Sequence, residues 1–487
     1  MQRAALKFRP VPPATKTGSD LTPTHERSSA DQQPENRQAR GWSAALTLFA
    51  MSLGYGVVQL DVTIVNTALE SIGASLGGGV AELQWIVNAY TIAFAAFILT
   101  AGALGDRIGA KRVFMAGFAI FTSASLACAL SPNPIVLVAA RAVQGLGAAV
   151  LVPNSLALLN HAYPDEKRRG RAIGIWAAGA SVALTAGPLV GGVLIALIGW
   201  RSIFLVNLPI GLAGLWLSWK YATETSANRQ RQVDLPGQVT AIAALGCLAG
   251  AIIEGGALGW SNGFVLAAFV ASVVLAALFI LQERRAEQPM LPLSLFGHRL
   301  FALTSLVGLL VNVAFYGLIF VFSLYFQRIN GLSPVATGLA FVPMMGAVLP
   351  ANLVAARVTE RLGAPATIAL GAALAAFGCL TLLGIAPGTS YWKIVGQFVI
   401  MGGGLGLLVP PLTSALLGSV DKSRSGIAAG VLNATRQTGS VLGVALFGSL
   451  IGRSGQFMDG AHHSLMISTA LLLVGGAVIW YGASRRN

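Results

Sequence analysis

The sequence predicts an all-α polytopic membrane protein of fourteen transmembrane helices, arranged as two six-helix bundles in a parallel pseudo-twofold repeat with two inserted helices. Three observations predict this fold class. Of the 487 residues, 55% are hydrophobic and 10% are charged, whereas soluble proteins carry about 25% charged residues. The chain also divides into apolar stretches of about 20 residues, the length that crosses a bilayer. Finally, the loop Asp106-Arg107-Ile108-Gly109-Ala110 returns as Glu360-Arg361-Leu362-Gly363-Ala364.

The apolar stretches define the crossings in chain order. The predicted crossings lie near 43–69, 82–104, 113–131, 134–160, 172–198, 202–219, 237–256, 262–282, 301–326, 335–357, 365–386, 391–419, 426–452 and 464–483. The seventh and eighth are separated only by the short stretch from Gly255 to Gly263. These two fall between the repeated groups of six.

Spaced glycines and prolines repeat in the two groups of six crossings. Gly145, Gly147 and Pro153 return as Gly402, Gly404 and Pro410, and Gly170, Gly174 and Gly187 return as Gly426, Gly430 and Gly443. The predicted organisation is a disordered cytoplasmic tail (1–41), an N-terminal bundle (42–219), a linker with two inserted helices (220–299) and a C-terminal bundle (300–487). Two such bundles can rock about a site between them.

The basic residues set the predicted orientation, because loops on the cytoplasmic side retain Lys and Arg. With the N-terminus inside, the inner loops and tails hold 26 of the 32 Lys and Arg residues. The outer loops hold Arg201, Arg328, Lys393 and Arg453. We therefore expect a multi-pass protein of the inner membrane with both termini in the cytoplasm.

Several function classes are disfavoured by composition. The net charge of +14 lies in short loops between apolar segments, which is not the basic face of a nucleic-acid-binding protein. The three cysteines fall in different apolar segments and are interpreted as packing residues, so neither a disulfide framework nor a metal site is expected. No Gly-rich run leads into Lys-Ser or Lys-Thr, which disfavours ATP as the energy source, and no cofactor is expected.

Four separated motifs resemble the major facilitator superfamily, and within it the 14-helix drug:proton antiporters. They are the loop Gly102-Ala-Leu-Gly105-Asp106-Arg107-Ile-Gly109-Ala-Lys111-Arg112, the fourth-helix set Leu137, Arg141, Gln144, Gly145 and Gly147, the fifth-helix run Gly187-Pro188-Leu-Val-Gly191-Gly192, and the first-helix run Leu60-Asp61-Val-Thr63-Ile-Val-Asn66-Thr-Ala68-Leu69. Ala110 departs from the basic residue usual in this family, Ala183 from a frequent Gly, and Glu70 from a customary Pro. The resemblance implies an exporter driven by the proton gradient.

Ionisable residues within crossings need a reason, because a charge near the bilayer centre costs about 3 kcal/mol even on insertion scales. Asp61 and Arg141 are each predicted roughly 11 Å below the outer surface, and they can pair if helices one and four are neighbours, as the family fold implies. A guanidinium stabilises a carboxylate ion and an apolar cavity destabilises it. We therefore interpret Asp61 as the proton-titrating group and Arg141 as its modulator. The alternative is a structural ion pair.

Two further membrane charges have different interpretations. Glu254, near the outer end of the seventh helix, is expected to be an interfacial acid. Arg436, in the thirteenth helix, is expected either to bond backbone carbonyls or to line the central cavity.

Two segments are candidate gating elements. In the loop from Gly102 to Arg112, the glycines permit a tight turn and the charged residues can bridge to the other half, which would make the loop a latch. Its alternative role is positive-inside anchoring. The fifth-helix run Gly187-Pro188 with Gly191 and Gly192 can bend the helix or simply permit close packing.

Polar and aromatic residues on cavity-facing helices are candidate cargo contacts, because drug pockets combine apolar walls with a few polar groups. They are Asn66, Trp85, Asn88, Tyr90, Asn154, Asn312, Tyr316, Gln397 and Arg436. Asn312 and Tyr316 share one helix face, while any of the aromatics can instead serve the lipid belt or packing.

The predicted function is proton-coupled efflux of hydrophobic or amphipathic small molecules, neutral or singly charged, by a protein that works as a monomer. The expected partners are this cargo, protons and membrane lipid, with no nucleic acid. One alternative is a narrow exporter of a single antibiotic or metabolite. Another is a membrane-embedded lipid-processing protein, but the clustered nucleophile, metal or acid pair that such an enzyme needs is not evident.

Overall fold

The computed structural model describes residues 33–228, 234–421, 425–452 and 456–484. Within these ranges the chain forms fourteen long helices: α1 (Gln33–Leu76), α2 (Val80–Ile108), α3 (Ala110–Ala129), α4 (Pro134–Ala162), α5 (Glu166–Ile198), α6 (Ser202–Tyr221, broken at Val206), α7 (Leu235–Leu258), α8 (Gly263–Arg285), α9 (Arg299–Leu324), α10 (Pro334–Leu362), α11 (Ala364–Thr381), α12 (Val395–Gly418), α13 (Ser425–Ile451) and α14 (Phe457–Ser484). A π-helical turn, Tyr325–Ile329, continues α9. The all-helical, multi-pass fold predicted from the sequence is confirmed.

Thirteen helices of the described chain are long and apolar enough to cross a membrane. The other long helix, α13, carries Arg436 and Gln437 in its middle, which lowers its apolar character. Several predicted boundaries move: α1 continues past 69 to Leu76, α5 begins at Glu166 rather than 172, and α14 begins at Phe457 rather than 464. Residues 1–32 of the predicted tail and Arg453 lie outside the described residues, and α1 begins at Gln33 inside the predicted tail. The described residues from Ser43 onward form one compact unit.

The two bundles have the same internal packing. In the first, α4 packs on α2 and α3, and α3 packs on α6; in the second, α12 packs on α10 and α11, and α11 packs on α14. Between the bundles, α2 packs on α13 and α5 on α10. The second helix of each bundle thus contacts the fifth helix of the other, as a pseudo-twofold axis requires.

Equivalent glycines make equivalent close contacts in the two bundles. A Cβ atom placed on Gly145 would lie 2.1 Å from the carbonyl oxygen of Tyr90, and one placed on Gly402 would lie 2.1 Å from that of Met344. Helices α2 and α4, like α10 and α12, therefore approach backbone to backbone, which only a residue without a side chain permits. This explains why these glycines recur in the sequence.

The fourth helices of the two bundles carry different kinds of residue at the position of Arg141. The spacing that relates Gly145 to Gly402 places Phe398 where the first bundle has Arg141. Phe398 is fully buried, and its ring centroid lies 4.9 Å from that of Phe322 and 6.2 Å from that of Phe341. The second bundle thus has aromatic packing where the first has a charge.

The inserted helices α7 and α8 lie against the junction of the bundles. Helix α7 packs on α2 and α13, and α8 packs on α7. The indole nitrogen of Trp85 in α2 donates to Glu254 of α7 at 3.0 Å, and Gln238 of α7 donates to the carbonyl oxygen of Ala96 at 3.0 Å. Glu254 is therefore hydrogen-bonded to α2 of the first bundle. The insert is attached to α2 at two levels.

Candidate functional site

A cavity of about 870 Å³ lies between the two bundles. We call it the central cavity. Helices α1, α2, α4, α5, α9, α10, α12 and α13 all contribute to its wall. The cavity extends to Asp106 in the Gly102–Arg112 loop, to Asn160 near the end of α4 and to Gly426 at the start of α13. Its volume lies within the range of about 300 to 1,000 Å³ that small-molecule pockets occupy.

At the opposite end the two halves of the chain are in contact. The side-chain amide of Gln84 in α2 donates to the carbonyl oxygens of Val444 (2.9 Å) and Ala445 (2.7 Å) in α13. The hydroxyl of Ser323 donates to the carbonyl oxygen of Asn66, and Arg328 pairs with Glu70. The central cavity is therefore closed at the end farther from the loop.

The fifth-helix glycines also join the halves at this closed end. A Cβ atom on Gly192 would lie 2.4 Å from the carbonyl oxygen of Pro334, and one on Gly338 would lie 2.3 Å from that of Pro188. Within the first bundle, a Cβ atom on Gly187 would lie 2.0 Å from Thr63 Oγ1 and one on Gly191 2.8 Å from Ile64 Cγ1. The glycine face of α5 thus packs on both α1 and α10.

Pro188 leaves one carbonyl of α5 without its helical donor, because proline has no N–H. That carbonyl belongs to Leu184, four residues earlier, and it accepts a hydrogen bond from the Thr63 hydroxyl at 3.0 Å. Helix α5 is continuous across Pro188. The proline therefore creates an acceptor that ties α5 to α1.

The predicted cargo residues divide between the cavity and other places. Asn154, Asn312, Tyr316 and Arg436 line the central cavity. The others do not belong to its lining: Trp85 contacts α7, Asn88 is buried in α2, Asn66 and Tyr90 line a smaller void, and Gln397 lies half-buried in α12. Helical periodicity does not distinguish the cavity-facing side of a helix from its other buried sides.

The charged residues among the described cavity lining are Asp106 and Arg436. Arg436 is half-buried and donates to the Thr413 hydroxyl at 2.9 Å. Two other lining residues, Tyr55 and Trp176, stack on each other with ring centroids 4.3 Å apart. The cavity therefore offers an aromatic surface and one guanidinium, with Asp106 at its end.

A buried polar cluster, which we call the Asp61 cluster, lies in the first bundle. Asp61 and Arg141 are 0% and 1% exposed, and Arg141 Nη1 lies 2.5 Å from Asp61 Oδ2. The other carboxylate oxygen, Oδ1, accepts hydrogen bonds from Gln144 (2.9 Å) and Asn207 (3.1 Å). Asp61 is thus satisfied by three donors from α4 and α6.

Arg141 is held in place by groups from several helices. Its Nε donates to the carbonyl oxygen of Ile86 at 3.2 Å, and its guanidinium lies 4.2 Å from the centre of the Tyr90 ring. Gln144 Oε1 accepts from Arg141 at 2.6 Å, and Gln144 Nε2 donates to Ser125 at 2.8 Å. Five helices of the first bundle contribute to this cluster, so a movement of any of them changes its geometry.

A void of about 10 Å³ lies between the Asp61 cluster and the central cavity. Tyr90 and Arg141 line it from the first bundle, and Tyr316 and Ser440 line it from the second. Such a volume suits about one water molecule. Tyr316 also lines the central cavity, so this side chain borders both spaces.

The Gly102–Arg112 loop is held by the segment that follows α6. Glu224 accepts hydrogen bonds from the backbone N–H groups of Lys111 (2.8 Å) and Arg112 (3.2 Å), at the N-terminus of α3. The Lys111 ammonium donates to the carbonyl oxygens of Trp219 and Ala222. These contacts of Lys111 and Arg112 stay on the first-bundle side of the chain, whereas the latch interpretation requires bridges to the other half.

The glycines of the loop serve its shape: Gly109 has φ +102°, and a Cβ atom on Gly105 would lie 1.7 Å from Asn154 Oδ1.

Several residues of these sites were not singled out from the sequence. Gln144 belongs only to the fourth-helix motif, and the sequence gives no candidate role to Asn207, Ser125, Tyr55, Trp176 or Glu224. A polar residue in an apolar helix was the available signal for Asn207 and Ser125. Glu224 offered no such signal, because it lies in a polar segment.

Comparisons with known proteins agree with this architecture. The family model described as Major Facilitator Superfamily matches residues 51–444. The methylenomycin A resistance protein of Streptomyces coelicolor is 38% identical over 439 residues, covering 90% of this chain and 92% of that protein. The multidrug resistance protein Stp of Mycobacterium tuberculosis is 38% identical over 406 residues, covering 83% and 75%. The crystal structure of a bacterial homologue of the human lysosomal transporter Spinster matches with a TM-score of 0.64 at 17% identity, covering 91% and 97%.

Proposed function

The chain belongs to the Major Facilitator Superfamily, and we propose that it exports hydrophobic or amphipathic small molecules in exchange for protons, by alternating access. Similarity to proteins named for antibiotic and multidrug resistance supports the export of such compounds. The observation that carries the proposal is the Asp61 cluster. A fully buried carboxylate-guanidinium pair, next to a small void that shares the Tyr316 side chain with the central cavity, is suited to exchange a proton when the halves move.

The positive-inside bias supports an orientation with both termini and the Gly102–Arg112 loop in the cytoplasm of a cell whose inner membrane holds the protein. In that orientation the central cavity extends towards the cytoplasm and the closed end faces outwards. This arrangement corresponds to the state that loads cargo. Both bundles are present in one chain, so we propose that a monomer is sufficient.

Cargo is proposed to bind among the aromatic and polar side chains of the central cavity. Tyr55 and Trp176 offer a stacked aromatic surface, and Asn312 and Tyr316 offer hydrogen-bonding groups from one face of α9. Arg436 favours neutral molecules or those with one negative group, because a cation there would be repelled in a medium of low dielectric constant.

Export requires the closed end to separate and the other end to close. The contacts to be broken include the Glu70–Arg328 pair and the two hydrogen bonds from Gln84 to α13. Because Tyr316 belongs to the second half, its displacement would connect the Asp61 cluster to the cavity while the cavity faces outwards. A proton from outside would then form an O–H bond with the Asp61 carboxylate, taking the place of a hydrogen bond from Arg141 or Gln144.

Return to the loading state completes the proposed cycle. When the five helices close around Asp61 again, Arg141 resumes its contact with the carboxylate and favours the ionised form. The proton leaves towards the cytoplasm through the same void. One proton would thus move inwards for each cargo molecule expelled.

The test measures whether efflux of a dye depends on the proton gradient. Cells expressing the protein are loaded with a neutral fluorescent dye, and efflux is followed before and after a protonophore. Collapse of efflux supports the proposal, whereas efflux insensitive to the protonophore contradicts it. A resistance panel of chemically unrelated toxins then separates a broad exporter from an exporter of one compound.

A further inference from the structure

A second cavity, of about 550 Å³, lies beside the central cavity. We call it the side vestibule. Its wall comes from α2, α7, α8, α9 and α13, together with the segment from Met290 to Phe296. The inserted helices therefore form one side of it and the junction of the two bundles forms the other.

The side vestibule is lined by small and apolar residues. Alanines at 95, 96, 241, 244 and 276 leave the space open, and the polar lining is limited to hydroxyl groups, including Ser305, Thr435 and Thr438. None of its described lining residues is charged. A charged molecule would find no compensating group there, whereas a neutral apolar molecule loses nothing by leaving lipid.

Leu99 and Met290 line both the side vestibule and the central cavity. Leu99 projects from α2 onto the bare backbone of α13, since its Cδ2 lies 2.8 Å from the position of a Cβ atom on Gly430. Both side chains are only half-buried. The walls of the two cavities thus share two flexible apolar side chains.

The segment that carries Met290 is anchored on both sides of its side chain. The Thr100 hydroxyl of α2 donates to Met290 Sδ at 3.3 Å, and Glu283 of α8 accepts from the backbone N–H of Leu291 at 2.9 Å. Glu283 is 3% exposed. The backbone is therefore held at Leu291, while the unbranched Met290 side chain, whose sulfur accepts only a weak hydrogen bond, can change rotamer at little cost.

We propose that the side vestibule is a lateral portal through which neutral, apolar cargo passes from the bilayer into the central cavity, with Leu99 and Met290 as its gate. This inference rests on the proposed export function and assigns a role to α7 and α8. The wall that the side vestibule shares with the central cavity favours cargo over a resident lipid chain, because a site for lipid alone does not need to adjoin the central cavity. The far side of α8 carries exposed Val270 and Val274, which suits a helix bordered by lipid.

The test uses the full-length protein in proteoliposomes with two probes: a neutral dye that partitions into the bilayer, and a membrane-impermeant singly charged compound that the unmodified protein also exports. Ala276→Trp narrows the side vestibule, and Val270→Trp places the same group on the exposed far side of α8. We expect Ala276→Trp to slow initial export of the neutral dye by about tenfold, as overpacking of a narrow passage should, and to leave the charged compound unaffected. Val270→Trp should alter neither rate.

A second variant tests the gate itself. Leu99→Ala should speed export of the neutral dye relative to the charged compound, because it removes one of the two side chains that the walls of the cavities share. Equal slowing of both probes by Ala276→Trp, or unchanged neutral-dye export in both variants, would overturn the portal. If the unmodified protein transports neither probe, the proposed function fails instead.

Occupancy is read by photocrosslinking, which needs no transport. With benzoylphenylalanine in place of Phe279, which already lines the side vestibule with an aromatic ring, we expect a radiolabelled neutral dye to be captured and unlabelled dye to compete. Capture of lipid alone, undisturbed by dye, would contradict the portal.

Discussion

Tyr316 in α9 and Arg141 in α4, which belong to different halves of the chain, line the same void of about 10 Å³. Tyr316 also lines the central cavity. The only described side chain common to both linings thus comes from the half that does not contain the Asp61 cluster. Movement between the halves therefore changes the barrier between cargo space and buried carboxylate.

Replacing this tyrosine should open the barrier. We expect Tyr316→Ala to permit proton flux without cargo, because the void would merge with the central cavity and admit water. The measurement is acidification of proteoliposomes containing a pH-sensitive dye, under an imposed proton gradient. Phe315→Ala is the matched control, since Phe315 lines the central cavity but not the void. Equal leak in both variants, or in neither, would refute the barrier role.

Asp61→Asn should abolish gradient-driven export while cargo exchange without a gradient continues. The asparagine keeps a carbonyl acceptor but cannot exchange a proton near neutral pH. Removing one partner of a buried ion pair also costs about 3 to 5 kcal/mol of unfolding free energy, so thermal unfolding in detergent must be measured alongside. The double variant Asp61→Asn with Arg141→Gln removes the unpaired charge and should regain stability without regaining coupling. Full gradient-driven export by either variant would leave the pair with a purely structural role.

Gly192→Ala should disfavour the conformation described here. Its new methyl group would meet the carbonyl oxygen of Pro334 across the halves, and overpacking of this kind costs about 1 to 3 kcal/mol. Spin labels at positions 70 and 328 would report the closed end, and we expect a longer distance to gain population. Gly174→Ala on the same helix is the control, because a Cβ atom there has nothing within 4 Å. Identical distance distributions for the two variants would argue against a gating contribution of Gly192.

Arg436→Gln should alter which molecules bind. We expect affinity for a singly anionic amphiphile to fall about tenfold, the equivalent of roughly 1.4 kcal/mol, because the charged partner in the cavity is lost. Affinity for a neutral amphiphile of similar size should change little. Arg436→Lys preserves the charge and should retain most anion binding. Fluorescence titration of purified protein measures all three, and a parallel loss for both ligands would indicate a packing role.

The fold was largely predictable because its determinants are local and repeated. Apolar length defines a crossing, and the recurrence of Gly145 as Gly402 reflects equivalent backbone contacts in the two bundles. Boundaries were less predictable. Helix α1 continues past residue 69 because its last turns contact the second half through Glu70, a partner that local hydropathy does not reveal.

The site was predictable only in part. Asp61 and Arg141 were conspicuous as charges in apolar helices, and they do form a pair. The contributions of Gln144 and Asn207 depend on how α1, α4 and α6 meet, so sequence spacing could not place them together. For the same reason Trp85 was indistinguishable from a cavity residue, although it bonds to the inserted helix.

Phe398 stands in α12 where α4 has Arg141, enclosed by other rings. That aromatic interior can tilt with no change in ionic solvation, so its motion adds no electrostatic cost of its own. Substitutions on α9 or α12 that reshape the cargo space can therefore accumulate without rebuilding the charged centre of the neighbouring bundle. Divergence in the cavity lining is then free to proceed in one half of the molecule, while the other half keeps its buried ion pair.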